Sequence, residues 1–172
     1  RARAVLQRVA TMADWGKAAI PDGHGRGLAF ARYKNSSAYC AVVAEVDVNE
    51  EPRARRLWIA VDVGETINPD GVINQIEGGA IQATSWSLKE QVAYDEEGVT
   101  SRSWESYPIL RFSEVPAVSV EIIDRPELPA VGAGEAAQGP VAAALANAIY
   151  NALGVRVRKL PLTRDHIIEA ME

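Results

Sequence analysis

Residues 140–153 narrow what this chain can fold into more than any other stretch. In Pro140-Val-Ala-Ala-Ala-Leu-Ala-Asn-Ala-Ile-Tyr-Asn-Ala-Leu153, apolar side chains fall at positions 141, 144, 145, 148, 149, 152 and 153. That is the i, i+3, i+4, i+7 spacing of a helix with one buried face. Pro140 suits the first helical turn, and Gly154 suits the residue just past the end. Immediately before it runs Pro129-Ala-Val-Gly-Ala-Gly-Glu-Ala-Ala-Gln-Gly139, a small-residue loop with a single carboxylate, Glu135. Gly132 and Gly134 lack a Cβ and can take φ > 0, so a planar or phosphate-bearing ligand could lie directly on backbone N–H groups. The loop feeds a helix N-terminus, whose unpaired N–H groups and positive dipole end favour anions. Glu135 is therefore the candidate for chemistry and an anionic cofactor the candidate ligand. On spacing alone, a tight glycine turn with an exposed glutamate is the plain alternative.

The 172 residues, 48% hydrophobic and 24% charged, have the composition of one globular domain or one piece of a larger chain. A net charge of -5 and a pI near 5.2 argue against nucleic acid as a partner. The basic clusters at Arg53 to Arg56 and Arg156 to Lys159 read as solvated faces. One cysteine, Cys40, and two histidines, His24 and His166, are too few to build a zinc or iron–sulfur centre from this chain, so the expectation is no metal ligand here. Cys40 lies in an apolar run and reads as a small core residue. No apolar run approaches the ~18 residues of a membrane span, and no signal-peptide pattern opens the chain. The start at Arg1-Ala-Arg suggests a fragment or a processed piece, so the absence of targeting signals says little about compartment, and the expectation is a soluble protein with the compartment left open.

Taken in order, residues 4–15 carry Val5, Leu6, Val9, Met12 and Ala13 at helical spacing, with Gly16 as a stop. Pro21-Asp-Gly-His-Gly-Arg-Gly27 reads as a glycine-rich turn, with phosphate binding the less economical explanation and His24 an exposed loop residue. Leu28 to Tyr33 and the apolar run through Val48 then form a hairpin, and Leu57 to Val63 a third strand, most simply an antiparallel meander. A helix from about Val72 to Lys89 follows, with Ile73, Ile76, Ala80 and Ile81 on its packed side. Inside it Gly78-Gly79 costs roughly 1 kcal/mol per glycine relative to alanine, which asks for close approach of another helix or of a ligand. The Gln75 amide either reads a heterocycle edge or faces water. Glu90 to Ser103 reads as an exposed hairpin with its tip at Asp95-Glu-Glu-Gly98. Val118 to Ile122 reads as a half-buried strand, Val155 to Arg158 as a short one, and Thr163 as the N-cap of a last helix through Met171. The fold class is α+β, a mostly antiparallel or mixed sheet with helices packed against it, over one unit spanning residues 1–172.

Six ordered segments add specificity: Val61-Asp-Val-Gly64, Ile67-Asn-Pro-Asp70, Gln75-Ile-Glu-Gly-Gly79, Tyr107-Pro-Ile-Leu-Arg111 with Ser113-Glu-Val-Pro116, Val131-Gly-Ala-Gly-Glu135, and Ala144-Leu-Ala-Asn-Ala-Ile149. Together they make the chain resemble the C-terminal part of the molybdopterin-binding large subunit of the molybdenum hydroxylases, the xanthine dehydrogenase and aldehyde oxidase family. It looks most like the isoquinoline 1-oxidoreductase and nicotinate dehydrogenase type. The resemblance implies hydroxylation of an N-heterocycle or aldehyde with water as oxygen source, and Glu135 as the base beside the molybdenum. It implies that Gly132, Ala133 and Gly134 keep side-chain bulk away from the pterin, and that Gln75 and Gly79 contact the cofactor's pterin or phosphate side. The implied cofactor is molybdopterin, as its cytosine dinucleotide, with molybdenum. The implied partners are the remainder of the large subunit and an iron–sulfur small subunit, with no iron–sulfur cluster on this chain. The fragment alone is expected to lack metal and activity and to expose apolar surface meant for its missing half.

Two other readings compete. Gly132-x-Gly134-x-x-Ala137 imitates a dinucleotide-binding fingerprint, but too little chain follows it and no acidic residue ends a second parallel strand about 20 residues on. The other is a non-catalytic α+β interaction domain with Glu135 merely exposed.

Overall fold

A computed structural model describes residues 1–172. Four strands form the sheet: β1 (His24–Arg32), β2 (Tyr39–Asp47), β3 (Arg53–Asp62) and β6 (Ala117–Ile122), in the order β1-β2-β3-β6. The first three make the expected antiparallel meander, with Leu28 opposite Val43 and Val43 opposite Trp58. β6 joins β3 in parallel, Leu57 opposite Val118 and Val61 opposite Ile122, so the sheet is mixed. The strands β4 (Tyr94–Asp95) and β5 (Gly98–Val99) form the small exposed hairpin, its tip closed by the Glu97 and Gly98 N–H groups on Asp95 Oδ1.

Both faces of the sheet are covered, which is why β2 and β3 read as continuous apolar runs rather than alternating ones. Alternate residues serve opposite layers. Ala41, Val43, Trp58 and Ala60 meet Val5 and Val9 of helix α1 (Ala2–Met12). Cys40, Val42, Leu57, Ile59 and Val61 face the larger core under α2 (Pro69–Leu88) and α3 (Gln138–Leu153), where Ile76, Ala80, Val141, Leu145 and Ile149 are buried. Cys40 is fully buried, and desolvation pushes its thiol up to about 12, which makes it inert packing material. The Asn68 side chain caps α2 by accepting from the Gly71 N–H at 3.0 Å, and Gly154 ends α3 at φ 71°. The short α4 (Arg164–Glu169) starts on Thr163 as expected and stops before Met171.

Three sequence expectations are corrected. The glycine-rich stretch before Leu28 is not all turn, because β1 begins at His24 and Gly25 and Gly27 lie inside it. Both face the α3 backbone: a Cβ on Gly27 would fall on the Ala144 carbonyl oxygen and the Ala148 nitrogen, and one on Gly25 would lie 2.7 Å from the Ala152 nitrogen. These glycines let a helix approach a strand and hold no phosphate. His24 is not an exposed loop residue; its ring, 18% exposed, sits 3.8 Å from both Glu45 and Asp47. Residues 155–158 form no strand. Their alternation reflects burial of Val157 and a surface path for Arg156, which donates to Asn147 Oδ1 at 2.8 Å and lies over the Tyr150 ring.

Asn147 and Asn151, one turn apart on α3, turn back to the sheet. Asn147 Nδ2 donates to the Leu28 carbonyl at 2.9 Å and Asn151 Oδ1 accepts from the Arg26 N–H at 3.0 Å. β1 is an edge strand, and these amides occupy main-chain groups that would otherwise be open for pairing.

Candidate active site

The topology brings three chain segments to one rim. β1 and β3 are both antiparallel to β2, and β6 is parallel to β3, so all three end at the same side of the sheet. Tyr33, Asp62 to Gly64, and the segment from Ile123 to Glu135 therefore meet there. α2 and α3 both start at this rim.

Asp62 anchors the rim. Its side chain is fully buried and accepts from Arg1 at 2.7 Å, from the Gly64 N–H at 3.1 Å and from Arg125 at 3.5 Å. Burial is the largest single influence and opposes ionisation, but Arg1, the Gly64 N–H and Arg125 together outweigh it and hold the carboxyl below the usual range. Around this anchor two segments zip together: Arg125 N–H to Gly64 O at 3.1 Å, Glu65 N–H to Leu128 O at 3.0 Å and Val131 N–H to Val63 O at 2.9 Å. Gly64, at φ 73°, passes so close to the Pro129 carbonyl that no Cβ fits. Asp62→Asn is expected to cost about 3 kcal/mol, because it leaves two guanidinium groups facing a neutral amide. A carboxyl depressed in the folded state adds stability above its unfolded pKa that is lost as pH falls through the folded one. Acid should therefore destabilise the native protein more steeply than the variant, as read by urea unfolding from pH 7 downward on both; equal slopes would remove the role given to Asp62.

Beyond Val131 the loop turns outward. Ala136 N–H donates to Ala133 O and Gln138 N–H to Glu135 O, both at 3.2 Å, and the turn runs into α3. Gly132 and Gly134 do not use the φ > 0 that the sequence suggested, but a Cβ on either would meet open space, so their outer side is uncovered by this chain. Gln75, on the second turn of α2, donates its amide to the Gly134 carbonyl at 2.8 Å. This contact binds two of the sequence candidates to each other. Gly79 lies elsewhere: it is buried beneath α3, where a Cβ would make ordinary contact with Gln138 Cγ at 3.8 Å. An alanine would fit there, so helix packing does not require this glycine, and the position is covered by this chain. Gln138 in turn donates to Gln82 at 2.9 Å, locking the start of α3 to α2.

Between the first two turns of α2 and residues 130–134 lies a cleft of about 390 Å³, walled by Val63, Ile67, Val131 and Ala133 with Gln75 at its edge. Ile67 is 73% exposed, which makes this an apolar shelf rather than a closed cavity. Glu135 is exposed, and its Oε2 accepts from the Tyr33 hydroxyl. Sequence reasoning did not single out Tyr33, since nothing but the end of β1 marks it. No three His, Cys, Asp or Glu side chains gather as a metal-binding group.

The profile of the molybdopterin cofactor-binding domain matches residues 3–116, well over half the chain. The chain belongs to that family. This molybdopterin cofactor-binding domain is 45% identical over 156 residues to a nicotinate dehydrogenase polypeptide of Pseudomonas putida, 86% of this chain and 13% of that protein. It is 34% identical to the beta chain of isoquinoline 1-oxidoreductase of Brevundimonas diminuta, over 94% of this chain and 21% of the relative. Among solved structures it is similar to quinoline 2-oxidoreductase from Pseudomonas putida 86, with a TM-score of 0.68 and 28% identity over 78% of this chain and 18% of that one. The aldehyde oxidoreductase of Desulfovibrio gigas gives a TM-score of 0.65 at 26% identity, over 78% of this chain and 15% of its own. The domain thus spans a quarter or less of these relatives, which are molybdopterin-dependent oxidoreductases by family. It carries no helix long and apolar enough to cross a membrane.

Proposed function

We propose that this chain is the C-terminal, molybdopterin-binding part of a molybdenum hydroxylase large subunit and that Glu135 is its general base. The observation that carries the reading is an exposed carboxylate at the end of a loop whose small residues leave one side open, next to an apolar shelf. Those features fit a flat heteroaromatic cofactor: Gly132, Ala133 and Gly134 would admit it at van der Waals distance, and Gln75 would present a polar edge. Gly79, one turn beyond Gln75 on α2 and buried, belongs to the same proposal as a cofactor contact only through the family.

The reaction this site suits replaces C–H by C–OH on an N-heterocycle or aldehyde, consuming water and releasing two electrons and two protons. When bound, the molybdenum cofactor supplies the electron acceptor. The chain's own part is to take a proton: a carboxylate with one oxygen free is an acceptor within reach of water or substrate. A cytosine dinucleotide form of the cofactor, iron–sulfur clusters on a small subunit and a bacterial cytoplasmic or periplasmic setting belong to the same proposal, drawn from the family. So does inactivity of the isolated piece. Its exposed Val92, Tyr94, Trp104 and Phe112 would then meet the remainder of the large subunit.

The test is Glu135→Gln in the full-length large subunit assembled with its partner, reading turnover and cofactor content together. Loss of turnover with cofactor retained is the expected result.

A further inference from the structure

Tyr33 is the one side chain that hydrogen-bonds the Glu135 carboxylate, and it lies 102 residues away in the sequence. Its main chain is tied from both sides: its N–H donates to Ala38 O at 2.9 Å, and its carbonyl accepts the Ser37 N–H at 2.9 Å. Between these bonds Lys34 and Asn35 sit at φ 49° and 56°, left-handed conformations that side-chain-bearing residues seldom adopt. Two such residues in a row, closed by the Ser36 N–H on the Tyr33 carbonyl at 3.3 Å, are the tight turn that joins antiparallel strands, and they fix where β1 ends. The turn is shaped so that β1 ends with Tyr33 half-buried and its hydroxyl on the rim.

The bond engages only Oε2 of Glu135, and no other protein group occupies Oε1. We propose that Tyr33 is a positioning residue for Glu135, its hydroxyl fixing one carboxylate oxygen so that the other faces the reacting proton. This inference rests on the base reading above. A phenol suits the task because it is a neutral donor and stays one: the hydrogen bond to Glu135, with burial and the carboxylate's charge, holds its ionisation above the usual tyrosine range. A carboxylate held at one oxygen loses rotational freedom about its last torsion, and such placement of a reacting group is a recognised part of rate acceleration.

The test uses Tyr33→Phe, which keeps the ring, beside Glu135→Gln, each in the full-length large subunit with its partner. Tyr33→Phe should lower kcat about tenfold with KM and cofactor content unchanged, the scale of one hydrogen bond to a charged group. A second readout needs no turnover. In ultraviolet difference titration, the tyrosinate signal that Tyr33→Phe removes should appear at lower pH in Glu135→Gln than in the native protein. If Glu135→Gln is inactive while Tyr33→Phe keeps native kcat and KM, the inference is overturned and the base reading stands. If Glu135→Gln remains active, the base reading fails and takes the inference with it. An unshifted tyrosine titration, or cofactor loss in Tyr33→Phe, would likewise overturn it.

Discussion

Replacing Glu135 with glutamine is expected to lower turnover by about 10²-fold or more, because an amide cannot take the proton a general base removes. The substitution is informative because so little else depends on the carboxylate. The loop is shaped by main-chain bonds, Ala136 N–H to Ala133 O and Gln138 N–H to Glu135 O, and by the Gln75 amide on the Gly134 carbonyl. None of these uses the Glu135 side chain, and an amide oxygen can still accept from Tyr33. Pterin and metal content should therefore match the native enzyme, with the loss confined to kcat. Turnover within about tenfold of native would remove Glu135 from the base role.

Gly27→Ala should be a severely damaging small substitution, costing about 3 kcal/mol as an overpacking change. The added methyl would strike the Ala144 carbonyl and the Ala148 nitrogen, which are backbone atoms that no rotamer change can move aside. α3 would have to lift from β1, yet Asn147 and Asn151 hold it to Leu28 and Arg26. The strain would pass to the start of α3 and so to the loop that carries Glu135. Denaturant unfolding measures the cost directly; an unchanged midpoint with an unchanged slope would mean the helix does not sit this close.

The candidate site was legible where local chemistry alone determines it. Helix periodicity around Leu145 and Ile149, the Thr163 cap and the Glu135 loop are properties of short segments, and they lie where the sequence put them. What escaped is set by distant partners. Gly25 and Gly27 look like turn residues until α3 is placed against them. The alternation of Val155 and Val157 imitates a strand when burial is mistaken for pairing. The parallel union of β3 and β6 cannot be read from either strand, since an apolar run pairs in either sense. Gln75 was legible through its family segment, but its bond to Gly134 depends on where α2 lands. Tyr33 had no local mark at all, because its meaning lies in the residue it meets.

The strand that completes the sheet has a kinetic consequence. β2 and β3 can find each other across a short turn, whereas β6 reaches β3 only after everything between Asp62 and Ala117 has been brought into a closed loop. Closing such a connection precedes any reward from the contacts it allows, so parallel pairing of this range is slow to form. In pulsed hydrogen exchange during refolding, amides of β2 should gain protection before those of β6, and simultaneous protection would refute that order. The rim where β1, β3 and β6 end would then be complete only after that long-range pairing has formed.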